Sequence, residues 1–390
     1  MRNVLILSIA LALAMSGLTI VVLLGGILGA ELAPIPILTT LPAASMIVGL
    51  ALFTLPAAFL MKAIGRRIGF VASALMAGLA ALLAGYAIGQ GSFVLLCVAT
   101  FFIGAQGAFV QQYRFGAIES VAPSQAGRAV SFVLLGGIAA GFIGPEIAVR
   151  GSVLVPETAY VGSFYALAAL YLLAAVALLF YKEQRSTSGE TTEAGRPLRE
   201  VAAQPSYRMA VVFAAVSFGV MTLVMTATPV YLSGALGYSL GTTSNIIKSH
   251  IAAMYIPSLF TGFLIDRFGL NRVMMGGALT LLASTFVGVG AASLLAYYAA
   301  LILLGLGWNF LFVGATVLLT RTYTPEERFR AQALNDFVVF GAQAIASLSA
   351  GAVLQLVSWD AVNLIGFALL VFTLGFLVWG QRLIRAVVPA

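Results

Sequence analysis

Twelve apolar runs of about 20 residues or more follow one another along this chain, with short polar breaks between all but the sixth and seventh, and that feature decides most of what it can fold into. They lie roughly at 4–29, 36–61, 69–89, 92–113, 127–149, 159–181, 208–232, 241–265, 272–294, 296–319, 333–357 and 361–381. A segment surrounded by hydrocarbon has to satisfy its own backbone N–H and C=O groups, and an α-helix does so within one segment. Of the 390 residues, 61% are hydrophobic and 8% charged. A soluble domain carries about 25% charged residues, so this chain cannot cover a water-facing surface. The expected fold is an all-α integral membrane protein with twelve transmembrane helices. The first run opens Met1-Arg2-Asn3 and outlasts the apolar core of a signal peptide, about 7–15 residues, so it reads as a retained span.

The net charge of +7 sits in the breaks between runs. Lys and Arg are retained on the cytoplasmic side during insertion. With the N-terminus inside, the inner stretches hold Arg2, Lys62, Arg66, Arg67, Arg128, Lys182, Arg185, Arg196, Arg199, Arg208, Arg267, Arg272, Arg321, Arg328, Arg330, Arg382 and Arg385, and the outer loops hold only Arg150. Both termini are expected in the cytoplasm. The basic residues therefore report orientation and not nucleic-acid binding. The one long hydrophilic stretch, 183–207, suits a flexible connector. It divides the chain into a bundle at 1–182 and a bundle at 208–390. The single cysteine, Cys97, excludes an intramolecular disulfide and any Cys-Cys metal spacing.

The halves echo each other. Residues 262–269 read GFLIDRFG and residues 58–69 read AFLMKAIGRRIG, about 204 positions apart; Pro123 with Arg128 and Pro325 with Arg330 repeat at a similar offset. Parallel repeats are a transporter architecture. Gly262-x-Leu264-x-Asp266-Arg267-x-Gly269 resembles the loop motif of the major facilitator superfamily. That resemblance implies two pseudo-symmetric six-helix bundles, and it implies that Asp266 and Arg267 gate the cytoplasmic helix ends. In the first half Gly65, Arg66 and Arg67 fit the motif, while Lys62 stands where its Asp belongs. The glycine-rich stretch from Gly136 to Pro145 carries no direction of transport, because such glycines let helices approach closely in any bundle.

The cargo has to be read from polar and soft residues inside the spans. The sole histidine, His250, is followed four residues later by Met254, and span seven holds Met221 and Met225 at the same spacing. Residues four apart share a helix face, about 6 Å apart along the axis. A turn near Gly237 places Met225 level with His250 and Met221 level with Met254. Three thioethers and an imidazole suit Cu(I), whereas hard cations need carboxylates, which this region lacks. Methionine also fills core gaps, and a buried His also hydrogen-bonds organic solutes or relays protons. The pattern resembles the CcoA-type copper importers of the superfamily. That resemblance implies Met221, Met225, His250 and Met254 as copper ligands, and import across the bacterial cytoplasmic membrane for cytochrome oxidase assembly. Close relatives of that branch are similar to riboflavin transporters, so uptake of a flavin or other small organic solute is the alternative. Copper is then a transported substrate and no cofactor is expected; the partners are copper and lipid, and the chain is expected to be a monomer.

Other polar residues remain. Lys248 points about 200° away from His250 and is expected to be an interface or partner-binding lysine whose stem snorkels toward the outer interface; facing the cavity instead, it would favour an anionic or neutral organic substrate. Glu146 either attracts cations or carries a proton, or is a wet residue at a helix end. Gln106 and Tyr113, seven apart, share a face that would line the cavity of the first half. Arg114 either snorkels or pairs with Glu119. Asn309 faces the cargo or bonds between helices. The aromatic residues offer no stacking site by spacing. With one His, one Cys and no phosphate-binding glycine loop, the chain is not expected to be an enzyme.

Overall fold

The computed structural model describes residues 1–122, 125–183 and 195–387, and among them every long element is a helix. The first half holds α1 (Arg2–Leu32), α2 (Leu41–Ile64), α3 (Arg66–Gly89), α4 (Phe93–Val110) with the short α5 (Tyr113–Glu119), α6 (Ala126–Gly151) and α7 (Val161–Leu179). After α8 (Leu198–Ala203) come α9 (Pro205–Pro229), α10 (Leu240–Tyr255), α11 (Ser258–Phe268), α12 (Leu270–Gly288), α13 (Leu294–Thr320), α14 (Arg328–Leu356) and α15 (Trp359–Val387). Every apolar run has its helix. Among the described residues ten helices are long and apolar enough to span a membrane, and the pair α10 and α11, bent by 42° at their junction, makes an eleventh. Helix α6 covers the fifth run. The bend has a cause in the sequence, since Pro257 has no N–H to continue the helix and its ring crowds the preceding turn.

The repeat seen in the sequence recurs in the backbone. Gly65 (φ 87°, ψ 152°) ends α2 and opens α3, and Gly269 (φ 87°, ψ 147°) does the same between α11 and α12. Only glycine occupies that left-handed region without strain. Ser92 and Ser293 each cap the following helix, accepting hydrogen bonds from the N–H of Leu95 and Ala296. Small residues set the crossings: a Cβ on Gly49 would strike the carbonyl of Phe101, and one on Gly104 the carbonyl of Met46, so α2 and α4 pack backbone to backbone. The glycines of the Gly136–Pro145 stretch do likewise, Gly136 lying on Ser8 and Gly144 on Ser16 and Thr19 of α1.

Packing sorts the chain into two compact units, one formed by Met1–Thr187 with Thr226–Lys248 and the other by Ser188–Met225 with Ser249–Ala390. The sequence division at 183–207 differs from this by one segment. Thr226–Lys248, the turn between spans seven and eight with its flanks, packs within the first unit. Gly26 of α1 lies so close to it that a Cβ would stand 2.5 Å from Val230, and Lys248 Nζ lies 2.7 Å from Glu146 of α6. The segment includes one π-helical turn, Val230–Ala235, just after Pro229.

Residues 184–194 of the expected connector, like Pro123 of the sequence echo, lie outside the described residues. From Gly195 onward the connector is not a free tether. Arg196 donates from Nε (2.7 Å) and its backbone N (2.9 Å) to Oε1 of Glu327 and from Nη2 to Oε2 (2.8 Å), while Arg330 donates to the carbonyls of Gly195 and Arg196. Glu327 also accepts from the N–H of Thr324. The bonds from Arg196 and Thr324 push its carboxyl down to about 2, and the same pair raises Arg196.

Candidate functional site

One face of α13 organises the second unit's interior. Leu301, Gly305, Trp308 and Phe312 recur at helical spacing and form a single stripe. Helix α10 runs parallel to it in close contact. His250 Nδ1 lies 2.8 Å from the carbonyl of Leu301, and a Cβ on Gly305 would stand 2.5 Å from the carbonyl of His250 and 3.0 Å from the N–H of Met254. Asn309 donates to the carbonyl of Met254 (2.7 Å) and to Ser258, and accepts from Thr261 (2.7 Å). Its amide is thus spent across the α10–α11 bend.

Below His250 the stripe becomes an aromatic wall. Trp308 and Phe312 stack with centroids 5.1 Å apart and planes at 17°. Phe218 of α9 stands edge-on to both, at 5.0 and 4.8 Å. Phe340 of α14 approaches Phe218 at 6.2 Å, and Tyr255 approaches Trp308 at 6.5 Å. Four helices contribute, which is why no spacing along the chain exposed the cluster; only Trp308 and Phe312 are a local pair.

Unpaired polar atoms occur on the same four helices. Thr222 Oγ1 on α9, His250 Nε2 on α10, Trp308 Nε1 on α13 and Gln343 Oε1 on α14 are buried and have no hydrogen-bond partner. Buried polar groups are normally satisfied, so such a set is where a ligand or water belongs. With Nδ1 donating to Leu301, His250 presents an acceptor lone pair at Nε2, while Trp308 presents a donor.

The four soft donors named from the sequence all lie in this unit and are buried, at 7% exposure for Met221, 6% for Met225, 1% for His250 and 8% for Met254. The ring contacts set their register. Helix α9 reverses through the turn into α10 and so runs antiparallel to α13. Seven residues from Phe218 lead to Met225, and seven residues back from Trp308 lead to Leu301, the partner of His250; each step covers about 10 Å. Met225 therefore shares the depth of His250, and Met221 that of Gly305 and Met254. Among the described residues no group of three or more His, Cys, Asp or Glu side chains is placed to hold a metal.

The remaining candidates lie apart. In the first unit, Gln106 is 1% exposed with neither amide atom bonded, and the hydroxyls of Tyr113 and Tyr171 are likewise buried and unpartnered. Asp266 and Arg267 are exposed, and neither makes an ion pair among the described residues. The first-half copy of that motif carries the network: Arg66 grips Glu119 through Nε (2.8 Å) and Nη2 (2.7 Å), and Glu183 Oε1 accepts from its backbone N–H (2.7 Å). Glu119 is thereby taken by Arg66, and Arg114, expected to snorkel or pair with Glu119, lies against the ring of Phe115 at 4.9 Å. Glu146 binds two cations, Lys248 at 2.7 Å and Arg150 at 2.6 Å, so Lys248 has its partner within the protein.

The sequence profile of the Major Facilitator Superfamily matches residues 4–258 and, again, 212–385. The chain belongs to the major facilitator superfamily. Among superfamily members, it is 38% identical over 375 residues to the riboflavin transporter RfnT of Brucella anthropi, covering 96% of this chain and 94% of that one. It is 28% identical to YdeG of Bacillus subtilis, an uncharacterized transporter of the superfamily, over 97% of this chain and 92% of the relative. Among solved structures, the superfamily transporter FucP in its outward conformation matches with a TM-score of 0.60 at 17% identity, covering 96% of this chain and 97% of that one, a likeness of fold. As a superfamily member the chain is a multi-pass membrane secondary transporter.

Proposed function

We propose that this carrier takes up riboflavin or a closely similar planar heteroaromatic solute across the bacterial cytoplasmic membrane, with both termini inside. The observation that carries this reading is the aromatic wall of Trp308, Phe312 and Phe218, together with the unpaired buried atoms Trp308 Nε1, His250 Nε2 and Gln343 Oε1 on the helices that build it. A flat fused-ring solute gains from stacking on such a face, and its ring-edge donors and acceptors satisfy the polar atoms that are otherwise left bare. The identity to a riboflavin transporter over nearly the whole chain supports the same cargo.

Copper import is the second reading, favoured by the free Nε2 of His250 at the depth of Met225 with Met221 and Met254 one turn away. One experiment separates the two. Cells lacking their own carriers and expressing this protein are assayed in parallel for labelled riboflavin and for copper. Riboflavin uptake with a half-saturation constant raised about tenfold or more by Trp308→Ala, and much less by Trp308→Phe, is the expected result. Copper accumulation abolished by Met225→Ala, without riboflavin uptake, overturns it in favour of the metal.

A further inference from the structure

The segment Thr226–Lys248 belongs by sequence to the second half, yet it packs on helices of the first. Its charged contact is Lys248, whose Nζ lies 2.7 Å from Oε2 of Glu146. The other carboxylate oxygen, Oε1, accepts from Arg150 Nε at 2.6 Å, one helical turn along α6. Exposure is graded, with the Lys248 side chain 17% exposed, Glu146 42% and Arg150 80%. At the same end, α1, Tyr160 and the segment border a half-open cavity of about 350 Å³ whose lining includes Glu31, Ser233 and Tyr238. All of this lies at the Arg150 end of the bundle, the end that the distribution of basic residues assigns to the outside.

We propose that Glu146 and Lys248 form the latch that closes this carrier on its outer side. The two partners are unequal in a way a latch needs. Arg150 shares a helix with Glu146 and stays with it, so the carboxylate keeps a cation when Lys248 leaves. Lys248 has a long apolar stem and swings its ammonium toward water as α10 moves, so neither charge is stranded in hydrocarbon. Parting the pair therefore costs little, as a step repeated in every cycle requires, while the closed pair fixes which helices meet. An apolar contact, Gly26 against Val230, adds to the hold of the segment on the first half. This assignment stands whatever the cargo is.

Ser244, one turn before Lys248 on the same face, supplies the test. It is 1% exposed and its hydroxyl has no partner, so Ser244→Cys adds a reporter thiol without removing a bond. In a Cys97→Ser background, intact cells are treated with a membrane-impermeant maleimide and the labelling rate is measured, on variants that remain monodisperse in detergent. Lys248→Met is expected to raise the rate about five- to tenfold, the range of a modest conformational coupling. Lys248→Arg keeps the ion pair and is expected to label at the parental rate. Glu146→Gln combined with Lys248→Met is expected to match Lys248→Met alone, because both act through one contact. A parental rate in Lys248→Met, or equal acceleration by Lys248→Arg, overturns the latch.

Discussion

Gly305→Ala tests the close approach of α10 and α13 in the second unit. The added methyl carbon would stand 2.5 Å from the carbonyl oxygen of His250, against about 3.3 Å for the closest comfortable C···O contact. Helix α10 has to retreat by about 0.8 Å, and the Cβ of Ala253 and the backbone nitrogen of Met254, each 3.0 Å away, leave it no sideways escape. The same retreat stretches the 2.8 Å bond between His250 Nδ1 and Leu301 beyond hydrogen-bond range. Overpacking costs about 1–3 kcal/mol and the lost bond about 1 kcal/mol, so about 2–4 kcal/mol is expected in all. Thermal unfolding of the purified protein in detergent reads this as a Tm lowered by roughly 4–10 °C. The control is Gly276→Ala on α12, where a Cβ meets nothing within 4 Å and the gain in helix propensity leaves stability unchanged or slightly raised. If Gly305→Ala behaves like that control, α10 and α13 do not touch as described.

Three further outcomes are expected. The carboxyl of Glu327, held near 2 against 4.5 for a free group, stays charged in the folded chain where the unfolded chain has already bound a proton; its stabilisation is complete above about pH 4.5 and drains as the pH falls toward 2, so thermal stability between pH 6 and 3 should fall less steeply in Glu327→Gln than in the parent. Gly65→Ala and Gly269→Ala both force a side chain to φ 87° and should each lower stability by about 1–3 kcal/mol in thermal melts, Gly65→Ala more, because its Cβ also meets Glu183 at 2.7 Å while Gly269 faces open space. Arg66→Lys replaces a two-bond grip on Glu119 with a point charge and should cost about 1 kcal/mol, read as a Tm loss of about 2–4 °C that Arg66→Ala equals or exceeds.

The fold was legible because hydrocarbon enforces it: each apolar run became a helix, and the motif glycines at 65 and 269 turned out to share one backbone conformation. The depth match of Met225 with His250 was also legible, since a hairpin conserves distance from its turn. The aromatic wall was not, because Phe218, Tyr255, Trp308 and Phe340 come from four helices and only assembly brings them together. The partner of Lys248 was hidden for the same reason. Spacing gave its direction away from His250, yet its partner Glu146 lies 102 positions earlier in the chain. The motif resemblance directed attention to Asp266 and Arg267, whereas the ion pair formed at Arg66, where a substituted Lys62 had weakened the match.

The bend between α10 and α11 interrupts a helical ladder within one apolar span. The side chain of Asn309 closes that wound, with one amide serving the carbonyl of Met254 and the hydroxyls of Ser258 and Thr261. A polar residue has thereby become a piece of borrowed backbone. Leucine there would look harmless in a lipid-embedded helix, but it would take this partner from the carbonyl of Met254 and the hydroxyl of Ser258, Thr261 alone keeping its bond to the Pro257 carbonyl, and remove the suture that lets a spanning rod be crooked.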